Sequence, residues 1–256
     1  MAYTSINDPE LYFQTVLWTG NSTNGRAITF DNTDADLDPD LIWIKKRTDD
    51  VEDWAVHDTV RGISASAILF NLNSDAAEET HGNNGFVSAV TADTFTLSTN
   101  DASGSDGYQY NNNSGDTYVA WCWKETADAG FDIVTYTGNG SLRTISHSLS
   151  AVPKMMLIKK RNGSDNGQVY HVSTGNTHVG EISITNAPFD EANRWNDTTP
   201  TSSVFTVNTA GQVNNNTSTF VAYLWADKQG FSKFGKYTGN GNADGAFVFL
   251  GFRPAF

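Results

Sequence analysis

The sequence has almost no cysteine. One cysteine, Cys122, stands among 256 residues, which excludes an internal disulfide framework and any cysteine-based zinc site. Positive charge is also scarce: 16 Lys and Arg oppose 29 Asp and Glu, a formal net charge of -13. Such a chain repels phosphate backbones and anionic membranes, so nucleic acid drops out as a default partner. No apolar run approaches the roughly 18 residues of a membrane span. The opening Met1-Ala2-Tyr3-Thr4 has no basic region followed by an apolar stretch. Neither membrane insertion nor a secretory leader is expected. Hydrophobic residues make up only 38% of the chain, yet 7 Trp, 9 Tyr and 15 Phe are too many for a disordered acidic tail. The chain folds, and its length fits two domains or one large β unit.

What charge there is lies unevenly. Residues 1–128 hold 21 acids and 6 bases, net -15, whereas residues 129–256 hold 8 acids and 10 bases, net +2. Such an asymmetry suggests two units with different surroundings, or like units stacked so that opposite potentials meet, against the plainer reading of solubility alone.

The chain also repeats itself. Trp18-Thr19-Gly20-Asn21, Tyr136-Thr137-Gly138-Asn139 and Tyr237-Thr238-Gly239-Asn240 are three copies of one aromatic-T-G-N phrase. Downstream of the first two come Leu41-Ile42-Trp43-Ile44-Lys45-Lys46-Arg47 and Met155-Met156-Leu157-Ile158-Lys159-Lys160-Arg161, with the I-K-K-R tetrad identical. Thr94-Phe95-Thr96-Leu97 answers Val204-Phe205-Thr206-Val207, and Tyr118-Val119-Ala120-Trp121-Cys122-Trp123 answers Phe220-Val221-Ala222-Tyr223-Leu224-Trp225. Matching landmarks in matching order imply a duplicated domain. The expected division is an N-terminal segment at 1–14, repeat 1 at 15–128, repeat 2 at 129–235 and a partial third repeat at 236–256. Within that last piece the run 246–252 reads as a strand, expected to close the second domain's sheet or pair with a neighbouring subunit.

Each copy reads as β. Runs at 12–18, 40–46, 65–72, 86–90 and 118–124 are β-branched and aromatic, separated by Asn, Gly, Asp and Ser clusters. No window carries a sustained helical stripe. The one helix signal is Asn7-Asp8-Pro9-Glu10, with Asp8 as cap and Pro9 in the first turn. The pattern is that of an all-β sandwich or jelly roll.

Duplication supplies a comparison for every candidate site. Cys122 is answered by Leu224, so that position wants a buried apolar group rather than a nucleophile. Trp123 and Trp225 recur and read as structural. The acidic stretch 31–40 has carboxylates at Asp34, Asp36 and Asp38, but it lacks an EF-hand's sixth-position glycine and carries Lys45 at the twelfth. It reads as a solvated loop without a metal. The histidines at 57, 81, 147, 171 and 178 fit no zinc spacing, and no nucleophile elbow, phosphate loop or dinucleotide fingerprint is present. The segment holding Trp54, His57, Asp58 and Arg61, echoed by Tyr170 and His171, puts aromatic, acid and base close together. Alternation sends Trp54, Val56 and Asp58 to one face and Ala55 and His57 to the other. Two readings stay open there: strand residues with a structural Asp58–Arg61 pair, or an exposed aromatic with polar neighbours that stacks on a sugar.

Five segments, 1–15, 38–47, 118–124, 195–207 and 230–241, resemble a family of repeat-bearing virion proteins encoded by marine tailed bacteriophages. The resemblance spans essentially the whole chain. The domain is also similar to a concanavalin-type jelly roll, a fold often used to hold sugars. The resemblance implies a non-enzymatic structural protein of the virion surface, assembled in the host cytoplasm. It would be a tail-fibre or adhesin component contacting a host surface glycan or receptor. The alternatives are a capsid decoration protein and a glycan depolymerase on the same scaffold. Other virion proteins are the expected partners, together with homo-oligomerisation, trimers being common in fibres. No cofactor or catalytic residue is expected. The N-terminal segment, with Tyr3, Asp8, Tyr12 and Phe13, is the expected attachment element.

Overall fold

The computed structural model describes residues 4–30, 37–48, 52–64, 67–80, 82–101 and 107–254. Tyr3, His81 and most of the acidic stretch 31–40 therefore lie outside the described residues. The fold is all-β, built from antiparallel sheets. Asp8 caps a single 3-10 turn at Pro9–Leu11, its carboxylate accepting the Glu10 N–H at 3.1 Å.

The first unit contains β1 (Phe13–Thr19), β2 (Arg26–Thr29), β3 (Leu41–Lys46), β4 (Ala55–Asp58), β5 (Phe70–Asn71), β6 (Phe86–Val90), β7 (Thr94–Ser98) and β8 (Thr117–Trp123). Its main sheet runs β1-β8-β3-β4-β5, and a smaller sheet runs β2-β7-β6. Strand alternation decides what lies between them. Tyr118, Ala120 and Cys122 of β8 point inward with Ile42, Ile44 and Ala55, and meet Ile28, Phe86, Phe95 and Leu97 of the smaller sheet in one core. Val119, Trp121 and Trp123 consequently face outward.

The second unit contains β9 (Phe131–Thr137), β10 (Arg143–Ser146), β11 (Met155–Lys160), β12 (Gln168–His171), β13 (His178–Glu181), β14 (Phe189–Asp190), a one-turn helix α1 (Ala192–Trp195), β15 (Val204–Val207), a second one-turn helix α2 (Gly211–Asn214) and β16 (Thr219–Trp225). Here the main sheet is β14-β13-β12-β11-β16-β9, facing a β10-β15 pair. The two units agree in register as well as order. Trp18 pairs with Tyr118 as Tyr136 pairs with Phe220, and Ile44 pairs with Ala120 as Ile158 pairs with Ala222. Ile28 faces Phe95 as Ile145 faces Phe205. Trp195 fills the second core, where α1 packs over β15.

This register gives the T-G-N phrase a physical role. The Asn21 N–H donates to the side chain of buried Asn112 at 3.2 Å, and the Asn139 N–H to that of buried Asn214 at 3.0 Å. Each buried amide returns a bond to the same loop, Asn112 to the Thr23 carbonyl at 3.0 Å and Asn214 to the Ser141 carbonyl at 2.7 Å. The glycine is demanded by close approach: a Cβ on Gly20 would lie 2.0 Å from the Asn113 carbonyl oxygen, and one on Gly138 would lie 2.2 Å from that of Asn215. A Cβ on Gly239, in the third copy, would meet nothing within 4 Å.

The expectation that 246–252 closes the second domain's sheet is corrected. Among the described residues no strand follows β16, and Phe247 and Phe249 are 91% and 79% exposed. The reason lies in the pairing. An opening strand bonds to the closing strand of its own unit, β1 to β8 and β9 to β16, and β16 already has β9 and β11 on its two edges. Neither edge of β16 is left for a third opening strand.

Candidate functional site

The two units pack through the outer faces of their main sheets. Leu41, Val56, Phe70 and Leu72 of the first meet Phe131, Ile133, Leu157, Val221, Tyr223 and Trp225 of the second in a third hydrophobic core. Trp43, Trp123 and Trp225 cross edge to face there, with ring centroids 5.2 to 6.4 Å apart. The recurring Trp123 and Trp225 are thus junction residues.

Polar groups fix the register of this junction. Tyr223 donates its hydroxyl to Asp58 at 2.5 Å, and Arg61 Nε donates to the same carboxylate. Arg61 also donates to the Val56 carbonyl at 2.9 Å and to Glu78 at 3.1 Å, and it lies 4.4 Å over the Phe70 ring. Glu78 is gripped from the other unit by Arg161, Nε at 2.9 Å and Nη2 at 3.0 Å. Lys159 donates to the Ser74 carbonyl at 2.9 Å, and burial lowers its pKa to about 8. A network of this kind is costly to break, because each charge left behind is buried.

Of the sequence candidates, His57, Asp58 and Arg61 are therefore interior. Asp58 and Arg61 are the structural pair, inaccessible to a ligand. His57 faces the first core with 0% exposure, and neither ring nitrogen has a hydrogen-bond partner among the described residues. Burial, and then the nearby Arg61 charge, lower its pKa to about 3, so it is neutral in ordinary buffers. Tyr170 fills the corresponding position of the second core, edge-on to Trp195. His171 is half-buried against Phe234. Tyr12 touches Phe231, while Phe13 packs on Trp123 as part of β1. Cys122 is fully buried and its thiol is pushed up by desolvation. Among the described residues no group of His, Cys, Asp and Glu side chains is arranged to hold a metal ion.

Trp54 is half-buried at an open surface. It borders a shallow cleft of about 640 Å³ on the outer face of the first unit, lined by Leu17, Lys45, Lys46, Arg47, Thr48, Trp54, Val119 and Trp121. Trp54 and Trp121 lie near-parallel there, centroids 5.4 Å apart and planes within 9°. Sequence reading missed Trp121, Leu17 and the two outward bases. The signal was present, since alternation on β8 turns Trp121 outward whenever Cys122 turns in.

Each cleft residue has a counterpart by register. Leu17, Val119 and Lys45 form one cross-strand row, matched by Thr135, Val221 and Lys159. Trp121 corresponds to Tyr223. Arg47 corresponds to Arg161, their backbone N–H groups bonding Thr117 and Thr219 at 2.7 and 2.8 Å. Trp54 corresponds to Gly167, each carbonyl accepting from the strand beyond, from Leu72 at 3.0 Å and Ile182 at 2.9 Å. In the second unit Val221, Tyr223 and Lys159 are at most 1% exposed beneath the first unit. In the first unit Val119 and Trp121 are half-buried and Leu17 is 60% exposed.

A second cavity, of about 210 Å³, lies between the turn at 227–233 and Leu250 and Phe252. It holds none of the residues singled out above apart from the stretch after β16.

The chain belongs to the family described as a domain of unknown function, DUF7483, matched over residues 8–256. No curated protein and no solved structure matches it.

Proposed function

For this member of the family we propose a non-enzymatic role as a structural attachment module of a bacteriophage virion surface, of tail-fibre or adhesin type. The contact surface toward the host is the outer face of the first unit. One observation supports the contact role. A face that is sealed by the sister unit in the second repeat is open in the first, where it carries two tryptophans in place of a tyrosine and a glycine. The polar and apolar lock between the units makes them a rigid pair, which suits a scaffold that presents one binding face. Placement on a virion rests on the sequence resemblance alone.

Immunogold labelling of purified phage particles tests the placement. Label at the tail tip is the expected result, label over the capsid favours a decoration protein, and absence of label from particles contradicts the proposal. Incubation with host polysaccharide tests the non-enzymatic part, since new reducing ends would identify a depolymerase.

A further inference from the structure

In the second repeat, the outward bases of I-K-K-R do identifiable work. Arg161 holds both oxygens of the Glu78 carboxylate, and Lys159 takes a backbone carbonyl of the covering loop. Those positions form a clamp for acceptors on the outer sheet face, Arg161 taking the carboxylate and Lys159 the main-chain oxygens of Ser74 and Asp165. The first repeat keeps the same residues in the same register, Arg47 and Lys45, on the rim of the open cleft. Arg47 is exposed and has no carboxylate partner among the described residues. Lys45 donates to the Glu52 carbonyl at the same rim. These are two of only six bases in a half that carries 21 acids.

The clamp's surroundings differ from those in the second repeat in one direction. Gly167 becomes Trp54 and Tyr223 becomes Trp121 where the sister repeat is covered by the first unit, and exposed Thr135 becomes exposed Leu17, so the floor gains aromatic and apolar surface. Indole faces beside a cation suit a ring-shaped ligand with apolar C–H faces and an anionic substituent.

We propose that this cleft binds an acidic saccharide, its carboxylate held by Arg47 and Lys45 and its sugar rings against Trp54 and Trp121. The inference deepens the contact role above and rests on it.

Calorimetric titration of the full chain with an oligogalacturonate, and with its methyl-esterified form, separates the two. The acid should bind, with affinity falling as salt is raised. Esterification, or Arg47→Gln, should each weaken it about tenfold or more, the scale of a lost charge-assisted hydrogen bond. Arg47→Gln is a surface change that leaves the fold intact, and an unchanged melting temperature checks this. Equal binding of acid and ester would overturn the acidic inference while leaving the glycan-contact reading standing. Binding of neither sugar would overturn both. So would concentration-dependent self-association in sedimentation velocity that Trp121→Glu abolishes, because the occupant would then be a second copy of the chain.

Discussion

The two repeats present the same strand-by-strand face, and the molecule uses it in two ways. In the second repeat Val221, Lys159, Tyr223 and Arg161 are a protein interface, with Thr135 exposed at its edge. In the first, Leu17 and Arg47 are exposed and Val119, Lys45 and Trp121 are half-buried around an open cleft. Where the fold is shared, a difference between copies reports on what covers the surface rather than on what the fold requires. By this comparison the I-K-K-R bases belong to the fold's stock of outward contacts, and the Trp54 and Trp121 pair is peculiar to the open copy.

Breaking the closed face should cost most. Arg61→Ala leaves Asp58 buried beside Tyr223 without its guanidinium and takes from Glu78 one of its two arginines. It should destabilise the chain by about 3 to 5 kcal/mol in urea unfolding. A cost near zero would mean the units do not depend on each other through this network.

The next effect depends on pH. His57 titrates near 6.5 when unfolded and near 3 in the fold. Its contribution is complete above about pH 6.5 and is withdrawn as pH falls toward 3, because protonation is favoured only in the unfolded chain. The loss should reach several kcal/mol. His57→Tyr, which installs the second repeat's residue, should flatten the difference in stability between pH 7 and pH 4. Identical acid profiles for the two proteins would show that His57 is not held neutral.

Twin substitutions sharpen the contrast further. Arg161→Gln should cost about 1.5 to 3 kcal/mol through its two bonds to Glu78, whereas Arg47→Gln should stay within about 0.5 kcal/mol. Asn112→Ala and Asn214→Ala should cost about 1 to 3 kcal/mol each by stranding the N–H groups of Asn21 and Asn139. Gly239→Ala in the third copy should change nothing measurable. Trp54→Ala should cost about 1 kcal/mol through the half-buried stacked pair, seen in thermal melts without change of fold.

Much of this was legible in the residues. Alternation sorted Val56 and Asp58 from Ala55 and His57 correctly, and the Cys122 and Leu224 comparison named a core position. The Asp58–Arg61 pair was visible as a structural alternative. Its depth was not, because burial came from a second unit whose docking geometry no local pattern encodes. Trp54 and Trp121 are 67 residues apart in sequence and meet only because β8 lies beside β3, so the cleft required the sheet order. The stretch 246–252 misled for a related reason: strand propensity reports that a segment can pair, not whether an edge is available.

The central claim is that one outer face binds a ligand while its twin binds the sister repeat. Indole N–H signals of the seven tryptophans, followed by NMR during titration with oligogalacturonate, test it in one spectrum. The account predicts shifts at Trp54 and Trp121, with Trp18, Trp195 and Trp225 unmoved. Shifts confined to the junction tryptophans, or none at all at saturating sugar, would contradict it.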